Sequence, residues 1–174
     1  MTASLGTQVR RLTVVEDEQI DGLVDVLIDC VEGGASVSFM LPLTRAMAPE
    51  FWSSIAAGVA TGARALIVAE DETGIVGTVQ LVLDQPPNQP HRADLSKLLV
   101  HRRARRHGVG AALMEAADEV ARACGKTLLV LDTAASEAER LYARMGWVRV
   151  GTIPEYALLP GGGLCATTFF YKAV

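Results

Sequence analysis

The sequence predicts one α/β domain with a central mixed, mostly antiparallel sheet, and three observations lead to that fold class. Apolar β-branched runs alternate with amphipathic helical patterns along 174 residues, with no repeat or low-complexity segment between them. Hydrophobic residues make up 50% of the chain and aromatic residues only 5%, which suits an α/β core. A short turn joins two early strands, whereas later strands alternate with helices, which predicts antiparallel pairing first and a right-handed β-α-β crossover afterwards. We expect a single domain at 8–174 after a short tail at 1–7.

The first third of the chain predicts a strand and two helices. Residues 8–15 are rich in the β-branched side chains typical of a strand, and the acidic run at 16–18 suits the first turn of a helix. Apolar residues at helical spacing continue that helix until a glycine pair at 33–34 ends it. A loop at 35–43 follows, and Thr44 is the expected N-cap of a second helix with one apolar face.

The rest of the chain predicts six further strands and two further helices. A short turn at 71–74 makes the first two of these strands a hairpin, and Ser136 is the expected cap of the last helix. A long loop at 152–163 separates the final two strands. The predicted elements are, in order, strands at 65–70, 75–83 and 92–100, a helix at 109–124, a strand at 128–131, a helix at 136–146, and strands at 147–151 and 164–174.

Composition narrows the function classes. The net charge of −4 argues against wholesale binding of nucleic acid or of a membrane surface. Against that acidic background, residues 97–106 hold one lysine and four arginines, so positive charge is concentrated as a small polyanionic ligand would require. The three cysteines are widely spaced and no metal-ligand spacing is visible, so we expect neither a disulfide framework nor a bound metal.

Nothing in the sequence predicts export or a membrane anchor. The segment at 1–7 has no basic region followed by an apolar one, so it is not a signal peptide. No stretch approaches the ~20 apolar residues that a membrane span needs. We therefore expect a cytoplasmic protein without membrane partners.

A phosphate-binding turn is predicted where the strand ending at Val100 meets the helix that follows. A helix start leaves about four backbone N–H groups without intrahelical partners and carries partial positive charge. The two glycines of the turn lack a Cβ, so the oxygens of an anion can approach the backbone closely, and its arginines add guanidinium groups that suit phosphate. The residues predicted to form this pyrophosphate cradle are Arg105, Arg106, His107, Gly108, Val109, Gly110 and Ala111.

Two better-known phosphate motifs do not fit the sequence. The dinucleotide fingerprint needs a third glycine, and Leu113 stands at that position. The segment at 125–127 is similar to the end of a P-loop, but Val120 occupies the place of the leading glycine and the segment follows a helix. Gly125 is expected instead to end that helix in the left-handed conformation. The pattern that remains is Arg-x-x-Gly-x-Gly at 105–110.

This pattern, placed between a strand and a helix, resembles the coenzyme A pyrophosphate motif of the GNAT superfamily of N-acetyltransferases. The similarity covers nearly the whole chain, because the order of predicted strands and helices is that of a GNAT domain. The pairs Leu141-Tyr142 and Gly146-Trp147 resemble the family's tyrosine-bearing helix and its step into the next strand. Segments at 33–37, 97–98, 131–133 and 149–151 are similar to the tabtoxin resistance acetyltransferase and its relatives, which acetylate a small amine toxin with acetyl-CoA.

The resemblance implies a GNAT fold with a sheet of about seven strands flanked by about four helices. It also implies acetyl-CoA as cosubstrate, a small-molecule amine as acceptor, a role in toxin resistance and a homodimer. The acceptor itself does not follow, because one fold hosts many substrates. An antibiotic, a protein N-terminus or a protein lysine stays open as the acceptor.

Acyl transfer from a thioester to an amine needs a held thioester, a proton acceptor and a proton donor. Leu98, Leu99 and Val100 are suited to align the pantetheine arm along their strand, as the resemblance also implies. A backbone N–H near Leu99 or Val100 would stabilise the thioester oxygen as it gains charge. Tyr142 matches the family's general acid, and a phenol with an ordinary pKa of about 10 can protonate a thiolate of comparable basicity.

Two carboxylates are candidates for the base. An ammonium like that of lysine has a pKa of about 10.4, so near neutral pH its proton must be removed directly or through water. Asp132 closes an apolar strand and projects at its carboxyl end, where open α/β sheets bind ligands. Asp94 lies on the strand that leads into the cradle. Either carboxylate, or a water between them, could take the proton, and either could instead bind the ammonium.

Three residues are predicted to contact the acceptor. Gly34 and Phe39 lie in or beside the glycine-containing loop at 33–43, which is suited to form a mobile wall over a pocket. Tyr156 belongs to the predicted loop before the last strand.

Two other functions stay open. A catalytically idle sensor would bind coenzyme A without releasing its thiol in the presence of any amine. A nucleic-acid-binding module would use the basic patch at 102–107, and its binding would depend steeply on salt.

Overall fold

The computed structural model describes residues 6–174 and builds them on one seven-stranded sheet with four α-helices. The predicted tail at 1–7 lies almost wholly outside the described residues. The strands are β1 (Gln8–Leu12), β2 (Arg64–Asp71), β3 (Gly74–Val82), β4 (Arg92–Val100), β5 (Leu128–Thr133), β6 (Val148–Leu158) and β7 (Leu164–Ala173). The helices are α1 (Asp17–Glu32), α2 (Ala48–Ala60), α3 (Val109–Ala123) and α4 (Ser136–Arg144), with a short 3₁₀ turn at Arg102–Ala104.

The sheet is mixed, as the sequence predicts. Its strand order is β1-β2-β3-β4-β5-β7-β6, and every neighbouring pair is antiparallel except β4 and β5. Those two parallel strands pair only at their beginnings, from Arg92 opposite Leu128 to Asp94 opposite Val130. Beyond that point β4 keeps β3 as its neighbour, but no strand in the described part of the chain pairs with it on the β5 side. The sheet is therefore open between the carboxyl ends of β4 and β5.

Two apolar clusters cover the two faces of the sheet. One face packs against α3 and α4 through side chains that include Leu113, Met114 and Tyr142. The other packs against α1 and α2, with Leu27 and Trp52 fully buried. The predicted helix ends are confirmed to within two residues: α1 ends at Glu32 with Gly33 as its C-cap, and α3 ends at Ala123, two residues before Gly125, whose φ is +72°.

A bulge in β4 changes which face its residues take. Between Ser96 and Leu99 the strand has one residue more than the opposing stretch of β3, and Lys97 adopts a φ of +53°. Before the bulge, Ala93 and Leu95 pack with the α3-side cluster. After it, Leu99 packs with the opposite cluster, although strict alternation would keep it on the side of Leu95.

Several predicted boundaries are wrong. The predicted loop at 152–163 is strand as far as Leu158, so β6 and β7 form a hairpin joined by a short turn. The sequence at 152–158 does not show the alternation of apolar and polar residues that indicates a strand. The reason is that β6 is an edge strand, exposed along most of its length and interrupted by Pro154 at an irregular pairing. The first strand also ends early, at Leu12.

Two predicted helix caps are also wrong. Thr44 precedes α2 by several residues, and its carbonyl, not its side chain, accepts bonds from the Met47 and Ala48 amides. The start of α2 is set by Pro49 in its first turn, where proline's fixed φ is compatible with a helix. Ser136 is the first residue of α4, and its side chain makes no capping bond.

Candidate active site

The turn between β4 and α3 presents the backbone amides of residues 106–111, and none of them donates a well-aligned hydrogen bond of 3.5 Å or less within residues 6–174. The first bond of α3 runs from the Ala112 amide to the Gly108 carbonyl, at 3.0 Å, so the earlier amides have no partner in the helix. Arg106 and Gly108 both adopt left-handed conformations, with φ of +64° and +80°. Successive amides in such mixed conformations form a concave nest for anions. This is the geometry that the predicted pyrophosphate cradle requires.

The two glycines of the cradle have different reasons to be glycine. Gly108 needs its left-handed φ, and a Cβ there would meet nothing within 4 Å. Gly110 has an ordinary helical φ, but a Cβ there would come within 3.3 Å of Leu141 Cδ2 on α4. Gly108 therefore sets the shape of the turn, and Gly110 sets how closely α3 approaches α4.

Most of the arginines beside the cradle already have partners. Arg102 donates to the Asp29 carboxylate, and Arg103 donates to Asp71 at 2.5 Å. Arg105 donates to the Val100 carbonyl at 3.0 Å and contacts Cys30 Sγ at 3.8 Å. Arg106 has no such partner in the part of the chain that the structure describes. Backbone amides therefore dominate the cradle.

The same ion pairs weaken the alternative of a nucleic-acid patch at 102–107. Arg102 and Arg103 are two of its cations, and both are already paired with carboxylates.

The opening between β4 and β5 leads away from this cradle. Leu98, Leu99 and Val100 lie along the unpaired side of β4, next to the cradle. The Val100 carbonyl accepts from Arg105 and from the Cys30 thiol, at 3.0 and 3.5 Å. Burial is the main reason that the pKa of Cys30 is raised, which keeps this thiol protonated. On the β5 side, no strand in the described part of the chain pairs with these last residues of β4.

At the β5 side of the opening lies a cavity of about 280 Å³. It brings together three predicted residues, Phe39, Asp132 and Tyr156, from distant parts of the sequence. The Asp132 carboxylate accepts from Thr167 Oγ1 at 2.7 Å, which fixes its orientation at the end of β5. The Tyr156 ring packs edge-on against Phe169, with centroids 5.9 Å apart.

One wall of this cavity is the loop that follows α1. Ser36 Oγ donates to the Leu158 carbonyl at 3.1 Å, and the Leu41 amide donates to the Pro160 carbonyl at 2.9 Å. These bonds tie the loop to β6 and to the turn after it. Gly34 does not line the cavity; it lies at the end of α1, with a φ of +91°.

A larger cavity, of about 1000 Å³, lies elsewhere, between α1 and the β2–β3 hairpin. Arginines line it, but Arg10 and Arg45 are paired with Glu70 and Asp25. It is lined by none of the predicted site residues, and each of its three arginines is already paired with a carboxylate.

Tyr142 projects from α4 into the apolar layer beneath the opening. Its side chain is 5% exposed and packs against Trp147 and Phe170, at centroid distances of 6.0 and 5.6 Å. Its hydroxyl has no hydrogen-bond partner among residues 6–174. Burial raises the pKa of Tyr142 far above its usual value, and the negative charge of Asp132 raises it further. The phenol is therefore a neutral O–H group at physiological pH.

Asp94 is engaged by its own neighbours. Its carboxylate binds Arg92 on the same strand and accepts from Gln85 Nε2 at 3.1 Å. Arg92 also donates to Gln89 Oε1 at 2.8 Å. Asp94 therefore lies in a polar cluster at the beginning of β4, whereas Asp132 lies at the end of β5.

Lys97 is the residue of this region that sequence analysis missed. Its Nζ lies 3.2 Å from Ser38 Oγ, a residue that lines the cavity, and 5.8 Å from the centroid of the Phe51 ring. The signal that could have revealed it is a lysine inside the otherwise apolar end of a strand.

The match to a family model decides which family the chain belongs to. The model of the acetyltransferase (GNAT) family matches residues 37–147, a span that includes the cradle, β5 and α4. The chain belongs to this family. It is accordingly an acyltransferase whose cradle, opening and cavity are parts of a GNAT fold.

Relatives and solved structures agree with this membership. The GNAT chain is 30% identical, over 126 residues, to an uncharacterized N-acetyltransferase from the hisH–hisA intergenic region of Azospirillum brasilense. That match covers 71% of this chain and 73% of the relative. An N-acetyltransferase from Staphylococcus aureus has the same fold, with a TM-score of 0.79, 16% identity, and coverage of 96% of this chain and 98% of that one.

A third neighbour is similar in fold and was solved with acetyl-CoA. It is a GNAT superfamily phosphinothricin acetyltransferase from Sinorhizobium meliloti, with a TM-score of 0.78, 16% identity, and coverage of 98% of this chain and 89% of that one. These solved structures confirm the predicted GNAT fold, and the family model and the Azospirillum relative show the enzyme class. The finer resemblance to the tabtoxin resistance acetyltransferase stays a prediction. No helix within residues 6–174 is both long and apolar enough to cross a membrane.

Proposed function

We propose that this GNAT enzyme transfers the acetyl group of acetyl-CoA to a primary amine of a small molecule, by direct attack within a ternary complex. The observation that carries the proposal is the alignment of three features: unpartnered amides at the start of α3, an unpaired end of β4, and a cavity beside Asp132. We infer that together they form one path for an acyl carrier and its acceptor.

The cosubstrate fits the residues present. The amides of residues 106–111, which make no well-aligned hydrogen bond in the described part of the chain, and the exposed Arg106 suit the oxygens of a pyrophosphate. The backbone at 98–100 has no strand partner on the β5 side within residues 6–174, and it suits the amide groups of a pantetheine arm because both are extended and both form hydrogen bonds. The Val100 carbonyl already accepts from Arg105 and Cys30, so the remaining backbone groups of this stretch would form those bonds. Acetyl-CoA, when bound, supplies an acetyl group activated as a thioester, whose transfer yields an amide and a free thiol.

Asp132 is the base that we propose for the acceptor ammonium. It lines the cavity, and Thr167 holds one of its oxygens, which leaves the other free. Asp94 is less suited to the role because Arg92 and Gln85 already bind its carboxylate. A water between the two carboxylates can still relay the proton.

Tyr142 is the acid that we propose for the leaving thiolate. A raised pKa keeps its proton in place until a strong base appears beside it. The apolar surroundings that disfavour a phenolate also disfavour a thiolate, so the thiolate becomes more basic there and the proton transfer remains feasible. The absence of another acceptor for this O–H, within residues 6–174, leaves it available.

The size of the cavity supports a small acceptor. A volume of about 280 Å³ is at the lower end for small-molecule sites. A protein N-terminus or a lysine side chain remains the alternative acceptor, and a toxin or antibiotic amine remains one form of the small molecule.

Two measurements on the purified protein test this function. Calorimetry with coenzyme A and acetyl-CoA should show saturable binding, and free-thiol release across a panel of amines should show turnover. Binding without thiol release for any amine would favour the idle sensor. Steeply salt-dependent oligonucleotide binding that coenzyme A does not compete would favour the nucleic-acid module. Absence of heat with both coenzymes would overturn the assignment of the cradle.

We retain two further predictions, a homodimer and a cytoplasmic location. The exposed apolar side chains of β6 and β7, including Val150 and Leu164, support a protein contact at this edge of the sheet. Light scattering on the purified protein would measure the oligomeric state.

A further inference from the structure

The three lysines of the chain differ in how their ammonium groups are satisfied. Lys126 donates to the carbonyls of Leu83 and Pro90, both at 2.8 Å. Lys172 forms an ion pair with Asp118 at 2.5 Å. Lys97, by contrast, donates only to the Ser38 hydroxyl, and no carboxylate within residues 6–174 lies within 4.0 Å of its Nζ. Within the described residues, Lys97 is therefore a half-buried cation without a carboxylate in direct contact.

The bulge in β4 determines where this cation lies. The positive φ of Lys97 interrupts the alternation of the strand and directs its side chain toward the loop after α1, where it meets Ser38 and Phe51. Phe51 packs edge-on against Phe39, at 5.1 Å, and Phe39 and Ser38 both line the acceptor cavity. The ammonium thus lies at the wall of the cavity.

The electrostatic surroundings of Lys97 fit an anion that the protein itself does not provide. Burial lowers the pKa of Lys97, Asp132 counteracts this by favouring the charged form, and the nearby Arg64 lowers the pKa again. Arg64 donates to Gln80 Oε1 at 2.8 Å, so its guanidinium is already engaged. An oxyanion beside Lys97 would supply the missing counter-charge.

We propose that Lys97 is a specificity-determining residue that binds a carboxylate carried by the acceptor, so that the preferred acceptor is an amine with a carboxylate on the same small molecule. The proposal rests on the function proposed above, in which the same cavity takes the amine. Asp132 lines this cavity, whereas Lys97 lies next to it, with its ammonium on the lining residue Ser38. A zwitterion matches these opposite charges if its ammonium lies toward Asp132 and its carboxylate reaches past Ser38 to Lys97. Charge-assisted hydrogen bonds of this kind are the strong ones in proteins.

The test compares matched acceptors on the wild-type enzyme. Straight-chain amino acids with a terminal amine, of increasing length, are assayed for thiol release beside their carboxamides, which keep the shape but lose the charge. The wild-type kcat/KM should be about 10- to 100-fold higher for one length of acid than for its amide. Aminoalkylphosphonates of the same lengths distinguish a site for carboxylate from one for oxyanions in general.

Lys97→Met keeps the length of the side chain and its contact with Phe51 but removes the charge. It should lower kcat/KM for the acid by about 10- to 100-fold and leave kcat/KM for the amide, and KM for acetyl-CoA, within a few fold. Lys97→Arg should keep part of the preference for the acid. Arg64→Met is the matched control, because it removes a neighbouring cation that is already bonded, and it should change the preference by less than about 3-fold.

Each result has one interpretation. If Lys97→Met lowers kcat/KM equally for acid and amide, Lys97 has a structural role and the inference is overturned. If the wild type does not distinguish acids from amides, the inference is overturned while the acetyltransferase function stands. If no amine in any panel is acetylated although coenzyme A binds, the proposed function fails first.

Discussion

The two halves of the site are constructed in different ways. The pyrophosphate cradle is contiguous in sequence and consists mainly of backbone amides shaped by Gly108. The acceptor cavity is assembled from side chains on separate segments, among them Phe39, Asp132 and Tyr156. The cradle recognises a ligand through groups that every residue has, whereas the cavity depends on the identity of each side chain. A substitution in the cavity should therefore act by removing a particular side-chain group. A substitution in the cradle should act only by changing the backbone conformation that directs the amides.

The largest expected effect comes from the buried phenol between the two halves. Tyr142→Phe should lower kcat by about 10²- to 10⁴-fold, because the leaving thiolate loses its proton donor, while KM for acetyl-CoA stays nearly constant. Steady-state thiol release measures both parameters. An unchanged kcat would mean that water or another group protonates the thiolate.

The same variant reports whether Tyr142 is buried in solution. Its pKa is raised in the folded protein, whereas an unfolded phenol ionises at about pH 10. The buried neutral phenol therefore contributes fully to the free energy of unfolding below about pH 10. Above that pH the contribution is lost, by about 1.4 kcal/mol per pH unit. Tyr142→Phe should therefore show a shallower fall in the free energy of unfolding between about pH 9 and about pH 11. Denaturant titrations measure it, and parallel curves would contradict the burial.

A smaller effect is expected in the cradle. Gly108→Ala places a Cβ on a residue with a φ of +80°, which costs about 1–2 kcal/mol or changes φ and turns the amides away from a phosphate. The Kd for coenzyme A should rise about 10-fold, as measured by calorimetry.

Gly62 provides a matched control for this substitution. It has a φ of +79° and equally open surroundings, but it lies in the turn after α2. Gly62→Ala should lose similar stability and bind coenzyme A normally. Equal losses of binding in the two variants would show that the cradle acts only through folding.

The smallest effect is expected at the beginning of β4. Asp94→Asn should change kcat/KM by less than about 3-fold, because Arg92 and Gln85 bind its carboxylate in a partly exposed cluster.

Asp132→Asn is the matched substitution at the end of β5, and it should lower kcat/KM by about 10²-fold or more. A reversal of this order would transfer the role of base to Asp94.

Much of the fold, and the contiguous half of the candidate site, can be predicted from local patterns in the sequence. Glycine spacing predicts a turn shape, and an aspartate that closes an apolar strand predicts a position at the edge of a sheet, as Gly108 and Asp132 illustrate. Tyr142 was found by resemblance, and the structure adds its burial. These features depend on local patterns, which a single sequence contains.

The other half depends on contacts between distant segments. The orientation of Lys97 follows from one extra residue in β4 relative to β3, which no pattern within β4 alone reveals. The partners of Asp94 come from a proline-containing loop, and the length of β6 is hidden because an edge strand with both faces exposed lacks alternation. Pairing partners, in short, are not encoded locally.

The extra residue in β4 makes one strand serve two layers in succession. Its first half points Ala93 and Leu95 toward α3, and its second half points Leu98 and Val100 there instead, leaving Leu99 for α1. Deleting a single residue at this place would exchange inside for outside along the very backbone that borders the opening. One extra residue thus reverses which face of the sheet the side chains of β4 take. Before this residue the strand is paired on both sides, and after it the strand has, within residues 6–174, a free edge at which a ligand can bind.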